Sequence, residues 1–303
     1  MLKTVHNLKE TSEPTGEFKQ SRLVLGTASF GMNYGATNAE GKVAKEKIRE
    51  ILAMCRTKGI RNLDTAQAYG RAEEELGEAG VGDFSITTKV YVHPGEGAKA
   101  VTEKLAHSLR CLKVEQIENL LLHNEDCLTR DDADSIVEEL HRLVGKGLAR
   151  KVGISSYEPS QALALCKKYR FQVAQLPANA LDHRLLENGL FDRFLKSKIQ
   201  VQIRSVFLQG ILIGHPRNPH NVPRELLRLT EEFRAKCRER GLSPLQGALG
   251  WVYQEFKQAK IVVGVTGLKD LQQILESLPQ GALDFRFASP AWVREFDPRN
   301  WKT

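Results

Sequence analysis

The 303-residue chain has no apolar run of about eighteen residues, so no segment reads as a membrane-spanning helix. Residues 1–20 are polar, with no apolar stretch of the kind a secretory signal needs. Cysteine is scarce: Cys55, Cys111, Cys127, Cys166 and Cys237 are scattered, odd in number and without CxxC spacing. That usage predicts a reducing, cytoplasmic setting and argues against a structural zinc site. The eight histidines include no HxH pair after a strand, which counts against a metal-dependent barrel hydrolase. A charge excess of one sign is almost missing too. The 44 basic residues outnumber the 37 acidic ones, a balance of +7, but the two kinds alternate in segments such as KEKIRE and RELLRLTEEFRAKCRER. Interleaved charges read as solvated helix faces, so neither nucleic acid nor a membrane is an expected partner. A mild positive potential would still favour an anionic ligand such as a phosphorylated cofactor.

What the chain does have is alternation. Eight short runs rich in Val, Ile and Leu lie at 22–26, 60–64, 85–90, 117–123, 149–155, 171–176, 199–205 and 260–265. Most are apolar throughout, as strands buried on both faces must be. Helical stripes separate them: Ile48, Ile51, Leu52 and Cys55; Val101, Leu105, Leu109 and Leu112; Ile136, Leu140, Leu143 and Val144; Leu190, Phe191, Phe194 and Leu195. A shorter, Glu-rich helix is expected near Ala72–Ala79, and Ser243-Pro244 is a helix start. Eight such pairs predict an α/β fold, a (β/α)8 TIM barrel. The rival, a doubly wound sheet binding a dinucleotide, needs GxGxxG after the first strand; GTASFGMNYG has the wrong spacing. The seventh connection is long enough for an extra helix near Val222–Arg240. The expected organisation is a tail or cover over 1–20 and one barrel domain over 21–303. Its aromatic, proline-rich end should pack on the barrel near the active site.

Function in a barrel sits where strands end. Strand 2 ends at Asp64 with Tyr69 in the next loop, strand 3 ends with Lys89, and strand 4 with His123. Taken singly, each has an ordinary structural role. Together on three successive strand ends, they suit proton transfer to a carbonyl or alcohol. A phenol is a weak acid that a nearby ammonium helps to ionise, a carboxylate holds that ammonium, and an imidazole orients a substrate oxygen. No nucleophile–base pair of the serine-hydrolase kind accompanies them. A Schiff-base lyase built on Lys89 remains a competing reading.

LGTASFG, NLDTAQAYGRAEEELG, ITTKV, SLRCLKVEQIENLLLHNED, VGISSY and QLPANALDHR, in this order, resemble the aldo-keto reductase superfamily over about residues 22–280. The resemblance implies a nicotinamide cofactor held on a barrel. It makes Tyr69 the proton donor, tuned by Lys89 and Asp64, with His123 orienting the carbonyl of a small carbonyl or sugar substrate. It assigns Gly26 and Thr27 to the turn under the cofactor, and Ser155, Ser156 and Gln175 to the nicotinamide carboxamide, although Ser156 stands where many members have Asn. Asn179 becomes a loop-structuring residue. Arg204 replaces a stacking Tyr, and its planar guanidinium either stacks on the ring or pairs at the strand end. Leu208, Gln209 and Gly210 match the pyrophosphate loop. Gly264, Val265, Thr266 and Gly267 open the last helix, whose free amides form an anion site, with Lys269 as the nearest cation. Where the family carries a basic residue and a Gln/Asn pair for the 2′-phosphate and adenine, this chain has Thr266, Asp270 and Ile274. The balance predicts NADP(H) as the better cofactor, with measurable use of NAD(H). Members of the superfamily that bind cofactor without turnover, as regulatory subunits, supply the alternative. Met32, Tyr34, Tyr91, Trp292 and Trp301 are candidate pocket walls.

Overall fold

The computed structural model describes residues 20–281, 287 and 294–301. Eight strands close into a barrel in chain order: β1 (Leu23–Gly26), β2 (Asn62–Asp64), β3 (Ser85–Val90), β4 (Ile117–Leu122), β5 (Ala149–Ser155), β6 (Val173–Pro177), β7 (Gln200–Arg204) and β8 (Lys260–Gly264). Every pairing is parallel, and β8 returns to β1 with Gly264 opposite Gly26. The open-sheet alternative is thereby excluded. Among the described residues, no helix is long and apolar enough to cross a membrane.

The helices follow the strands as the apolar stripes require. Ile48, Ile51, Leu52 and Cys55 are buried along Lys45–Thr57; Val101, Leu105 and Leu112 along Ala98–Leu112; Ile136, Leu140 and Leu143 along Ala133–Gly145. Pro159–Tyr169 and Leu190–Lys196 follow β5 and β6, and Leu268–Glu276 follows β8. The short helix after β2 spans Ala72–Ala79. The seventh connection holds two helices, the added Arg224–Glu239 and then Pro244–Glu255. The latter starts in a capping box: the Gln246 amide donates to Ser243 Oγ at 3.2 Å, and the Ser243 amide donates to Gln246 Oε1 at 2.8 Å. The expected N-terminal tail lies almost wholly outside the described residues. Of the C-terminal stretch, Phe296 is buried in the core and Trp301 packs partly buried against it; Trp292 lies outside the described residues.

Unlike its helices, the barrel lumen is polar at mid-height. Asn119 Nδ2 and Gln202 Nε2 both donate to Thr87 Oγ1, at 2.8 and 3.2 Å. Gln175 Nε2 donates to Gln202 Oε1 at 2.9 Å and to Asp64 Oδ1 at 2.6 Å. Five strands are thus tied together beneath the mouth, which sets the height and orientation of Asp64.

The loop carrying Tyr69 is set by backbone contact rather than by side chains. Ala28–Gly31 forms a single helical turn after β1. A Cβ on Gly31 would stand 1.8 Å from the Tyr69 carbonyl oxygen, and one on Gly70 (φ +60°) 2.5 Å from the Gly31 oxygen. Only glycine permits this approach. Gly31→Ala should therefore cost about 1–3 kcal/mol, as overpacking does, and displace Tyr69. A thermal melt should show Tm lower by several degrees together with a loss of turnover. An unchanged Tm would mean that the contact yields freely.

Candidate active site

At the C-terminal mouth of the barrel, β2 and β3 place Asp64 and Lys89 side by side and almost fully buried. Lys89 Nζ donates to Asp64 Oδ1 and Oδ2 at 2.8 and 2.9 Å, to the Thr65 carbonyl at 2.9 Å and to Tyr69 Oη at 3.3 Å. An ammonium is donor only, so Tyr69 must accept from it. The phenol's own proton is left to face the cavity. His123, from the end of β4, meets the Tyr69 ring edge-on with centroids 5.9 Å apart. Its ring nitrogens have no protein partner among the described residues, which leaves a polar contact for a ligand.

Burial and then the Asp64 carboxylate hold the Tyr69 phenol above its ordinary range, and Arg204 is the cation that opposes them. Both Asp64 oxygens lie at hydrogen-bonding distance from Lys89, which donates to the Tyr69 oxygen as well. Burial also pulls Lys89 downward against the raising effect of Asp64. His123 is pushed down to about 3, by burial first and then by Lys89 and Arg204.

A cavity of about 530 Å³ runs from this cluster across the ends of β1, β7 and β8. Of the residues singled out from sequence, it is lined by Gly26, Thr27, Tyr34, Asp64, Tyr69, His123, Ser155, Gln175, Arg204, Gln209, Gly210, Gly264, Thr266, Asp270 and Ile274. Thr27 also braces Asp64, its amide and Oγ1 both donating to the Asp64 carbonyl at 3.0 and 2.9 Å. Asn179 structures its loop: Nδ2 donates to the Ser205 carbonyl, and Oδ1 accepts from the Leu181 amide.

Others lie elsewhere. Ser156 is buried off the cavity, with Oγ committed to Glu125 Oε1 and the Glu158 backbone. Leu208 is a core side chain. Val265 is buried, and Gly267 and the exposed Lys269 are not among the lining residues. Met32 is exposed, and Tyr91 bonds to Asp126 at 3.5 Å. The amide of Thr266, expected to be free for an anion, donates to Asp270 Oδ2 at 2.7 Å, and so does its hydroxyl. Asp270, in the first turn of the helix, thus folds back onto the residue before the N-cap, Gly267, and the cap itself has no side-chain bond. Two residues that the sequence reading gave no role also line the cavity: Tyr157, which ends the VGISSY stretch, and Glu40, in the loop after β1.

The loops after β1 and β7 join over one side of the cavity. The Ala36 amide donates to the Gln209 carbonyl at 3.0 Å. Ser205, Leu208, Gln209 and Gly210 are all left-handed, an unusual density of strain at a ligand-facing loop. A Cβ on Gly210 would come within 2.1 Å of Thr37 Oγ1, so glycine is needed where the loops touch.

Fold and site together define a closed parallel barrel with a buried Lys–Asp pair, a tyrosine and a histidine gathered at its C-terminal mouth. The chain belongs to the aldo/keto reductase family, whose model matches residues 22–285. It is 26% identical to the L-glyceraldehyde 3-phosphate reductases of Escherichia coli O157:H7 and K12, each alignment covering 86% of both chains. Two solved structures share its fold. An aldo-keto reductase from Bacillus halodurans, in its holo form, gives TM-score 0.72 at 21% identity over 86% of this chain and 88% of that one. A Pseudomonas aeruginosa protein described as an aldo-keto reductase gives 0.63 at 20% over 84% and 88%.

The depressed pKa of His123 has a direct consequence. An unfolded histidine titrates near about 6.5, so between that pH and about 3 the unfolded chain binds a proton that the native site refuses. This contribution to stability is present above the unfolded value and is lost as pH falls. NMR of the imidazole should show a neutral ring down to pH 5. An inflection near about 6.5 would contradict the assignment.

Proposed function

We propose that this chain catalyses reversible reduction of an aldehyde or ketone to the alcohol, with Tyr69 as proton donor and a nicotinamide dinucleotide as hydride carrier. The observation that carries it is the Lys89 ammonium bonded to the Tyr69 oxygen beneath an open cavity, beside a neutral His123. The cavity also fits the cofactor. Gln175 Oε1 is buried without a partner among the described residues, and it suits the amide hydrogens of a carboxamide. Gly26 and Gly264 leave the wall open beside it. Ser155 is a second polar group for the carboxamide, and Gly210 with Gln209 cradles the diphosphate region.

When bound in reduced form, the cofactor supplies a hydride to the carbonyl carbon. The chain's own residues manage the oxygen. His123 and Tyr69 hydrogen-bond it, and as negative charge develops there Tyr69 transfers its proton. The phenolate left behind is stabilised by the Lys89 hydrogen bond and by Arg204. The curated relatives, by their names, reduce an aldehyde, which supports the direction of the reaction. The non-catalytic regulatory reading gains no specific support from an intact donor cluster. The Schiff-base reading loses ground because Lys89 spends its hydrogens on Asp64, Thr65 and Tyr69.

The sequence balance favoured NADP(H). The charges at the adenosine end support NAD(H) instead. Asp270 occupies the Thr266 donors, Glu40 lines the same cavity, and Lys47, the cation nearby, is paired with Glu40 at 2.9 Å. An added phosphate would meet carboxylates, and Lys269 lies outside the cavity. We infer that NADH binds at least as tightly as NADPH.

Tyr69→Phe keeps the ring and deletes the proton. Turnover of a carbonyl panel, followed by cofactor oxidation, should fall by about 100-fold or more, with cofactor affinity little changed. Near-normal turnover would remove Tyr69 from the mechanism. For the cofactor, dissociation constants of NADH and NADPH should show NADH equal or tighter in the native protein, and Asp270→Asn should improve NADPH by about tenfold, one decade for roughly 1.4 kcal/mol. Tighter NADPH binding in the native protein would restore the preference read from sequence.

A further inference from the structure

Arg204, at the catalytic end, makes no ion pair with an acid among the described residues. It closes β7 and lines the cavity with Tyr69 and His123. Its hydrogen bonds go to neutral oxygens: Nη2 to the Ser156 carbonyl at 3.1 Å and Nη1 to Ser205 Oγ at 3.3 Å. Two other cations nearby are matched, while the Glu125 carboxylate is bonded to the Ser156 hydroxyl and forms no ion pair among the described residues. Lys89 has Asp64 at 2.8 Å, and Arg299 has Asp297 at 2.6 Å. A guanidinium stays protonated, and a half-buried cation without an anion is costly unless a ligand provides one.

The guanidinium is also rigidly held. It lies 3.8 Å from the centroid of the Tyr157 ring, and Arg299 lies 3.5 Å from the same centroid. Two like charges at that range must take opposite faces, so Tyr157 is clamped between them. The C-terminal segment thereby fixes the plane of Arg204. Of its five N–H donors, two are spent inside the protein, and the remainder suit a carboxylate or phosphate oxygen pair.

We propose that Arg204 binds an anionic group carried by the carbonyl substrate, so that the preferred substrates are small aldehydes or ketones bearing a carboxylate or a phosphate. This rests on the reductase reading for the reaction itself, but the anion site stands on the charge accounting alone. It also bears on the two roles left open for Arg204: the guanidinium forms no pair with an acid at the strand end among the described residues, and one of its faces is covered by Tyr157.

The test compares matched substrates in native protein and in Arg204→Gln: succinic semialdehyde with butanal, and glyceraldehyde 3-phosphate with glyceraldehyde. In native protein kcat/KM should favour the charged member of at least one pair. That ratio should fall about 10- to 100-fold in the variant, the range for a hydrogen bond to a charged group, mostly through KM. The pair that responds tells carboxylate from phosphate. An unchanged ratio, or equal losses on both members with weaker NADH binding, would overturn the proposal and place Arg204 against the cofactor. Calorimetric titration with succinate and with inorganic phosphate, with and without saturating NADH, reads the same site without turnover. If the native protein reduces no carbonyl, the reductase reading fails, and the titration decides alone: binding lost in Arg204→Gln supports the anion site, and equal binding overturns it.

Discussion

The ion pair between Lys89 and Asp64 sits where water is nearly excluded, 1% and 4% exposed at the side chains. Taking two charges out of water costs several kcal/mol per ion, and attraction alone does not reliably offset it. The pair persists because each partner is bonded further. Lys89 also donates to the Thr65 carbonyl and Tyr69, and Asp64 also accepts from Gln175. Those partners come from β2, β3, β6 and the loop after β2. The strands must therefore hold their register, since a slip of one residue would turn Lys89 to the outer face and leave Asp64 unpaired.

From that constraint follows the orientation of the reacting group. Lys89 can only donate, so Tyr69 accepts and its proton is presented outward. The polar chain from Asn119 through Thr87 and Gln202 to Gln175 sustains the arrangement from below. Gln175 links structure to binding: Nε2 serves Asp64 while Oε1 is left to the cavity. The Gly31–Gly70 contact supplies the remaining restraint, on the backbone of Tyr69.

Charge is distributed unequally along the cavity. The catalytic end holds a balanced pair, a neutral imidazole and the cation Arg204. The far end, toward the helix Leu268–Glu276, holds Glu40 and Asp270. The overall +7 of the chain does not describe either end, because a site responds to the charges it faces, and surface charges beyond a Debye length of about 8–10 Å are screened.

Sequence by itself determined the barrel and the four residues at its mouth. Alternating apolar runs and helical stripes are local patterns that parallel strands buried on both faces can satisfy in a barrel or an open sheet, and the missing GxGxxG favoured the barrel. Asp64, Tyr69, Lys89 and His123 were legible because strand ends are readable positions. Side-chain direction in loops was not. Ser156 turns to Glu125, Lys269 faces solvent, and Asp270 folds back onto Thr266, since each competes for partners that distant segments bring. Arg204 meets Tyr157, and through that ring Arg299, which lies 95 residues further along the chain, as 299 − 204 gives. No period or motif encodes that meeting; only the closed barrel and the return of the C-terminal segment bring them together.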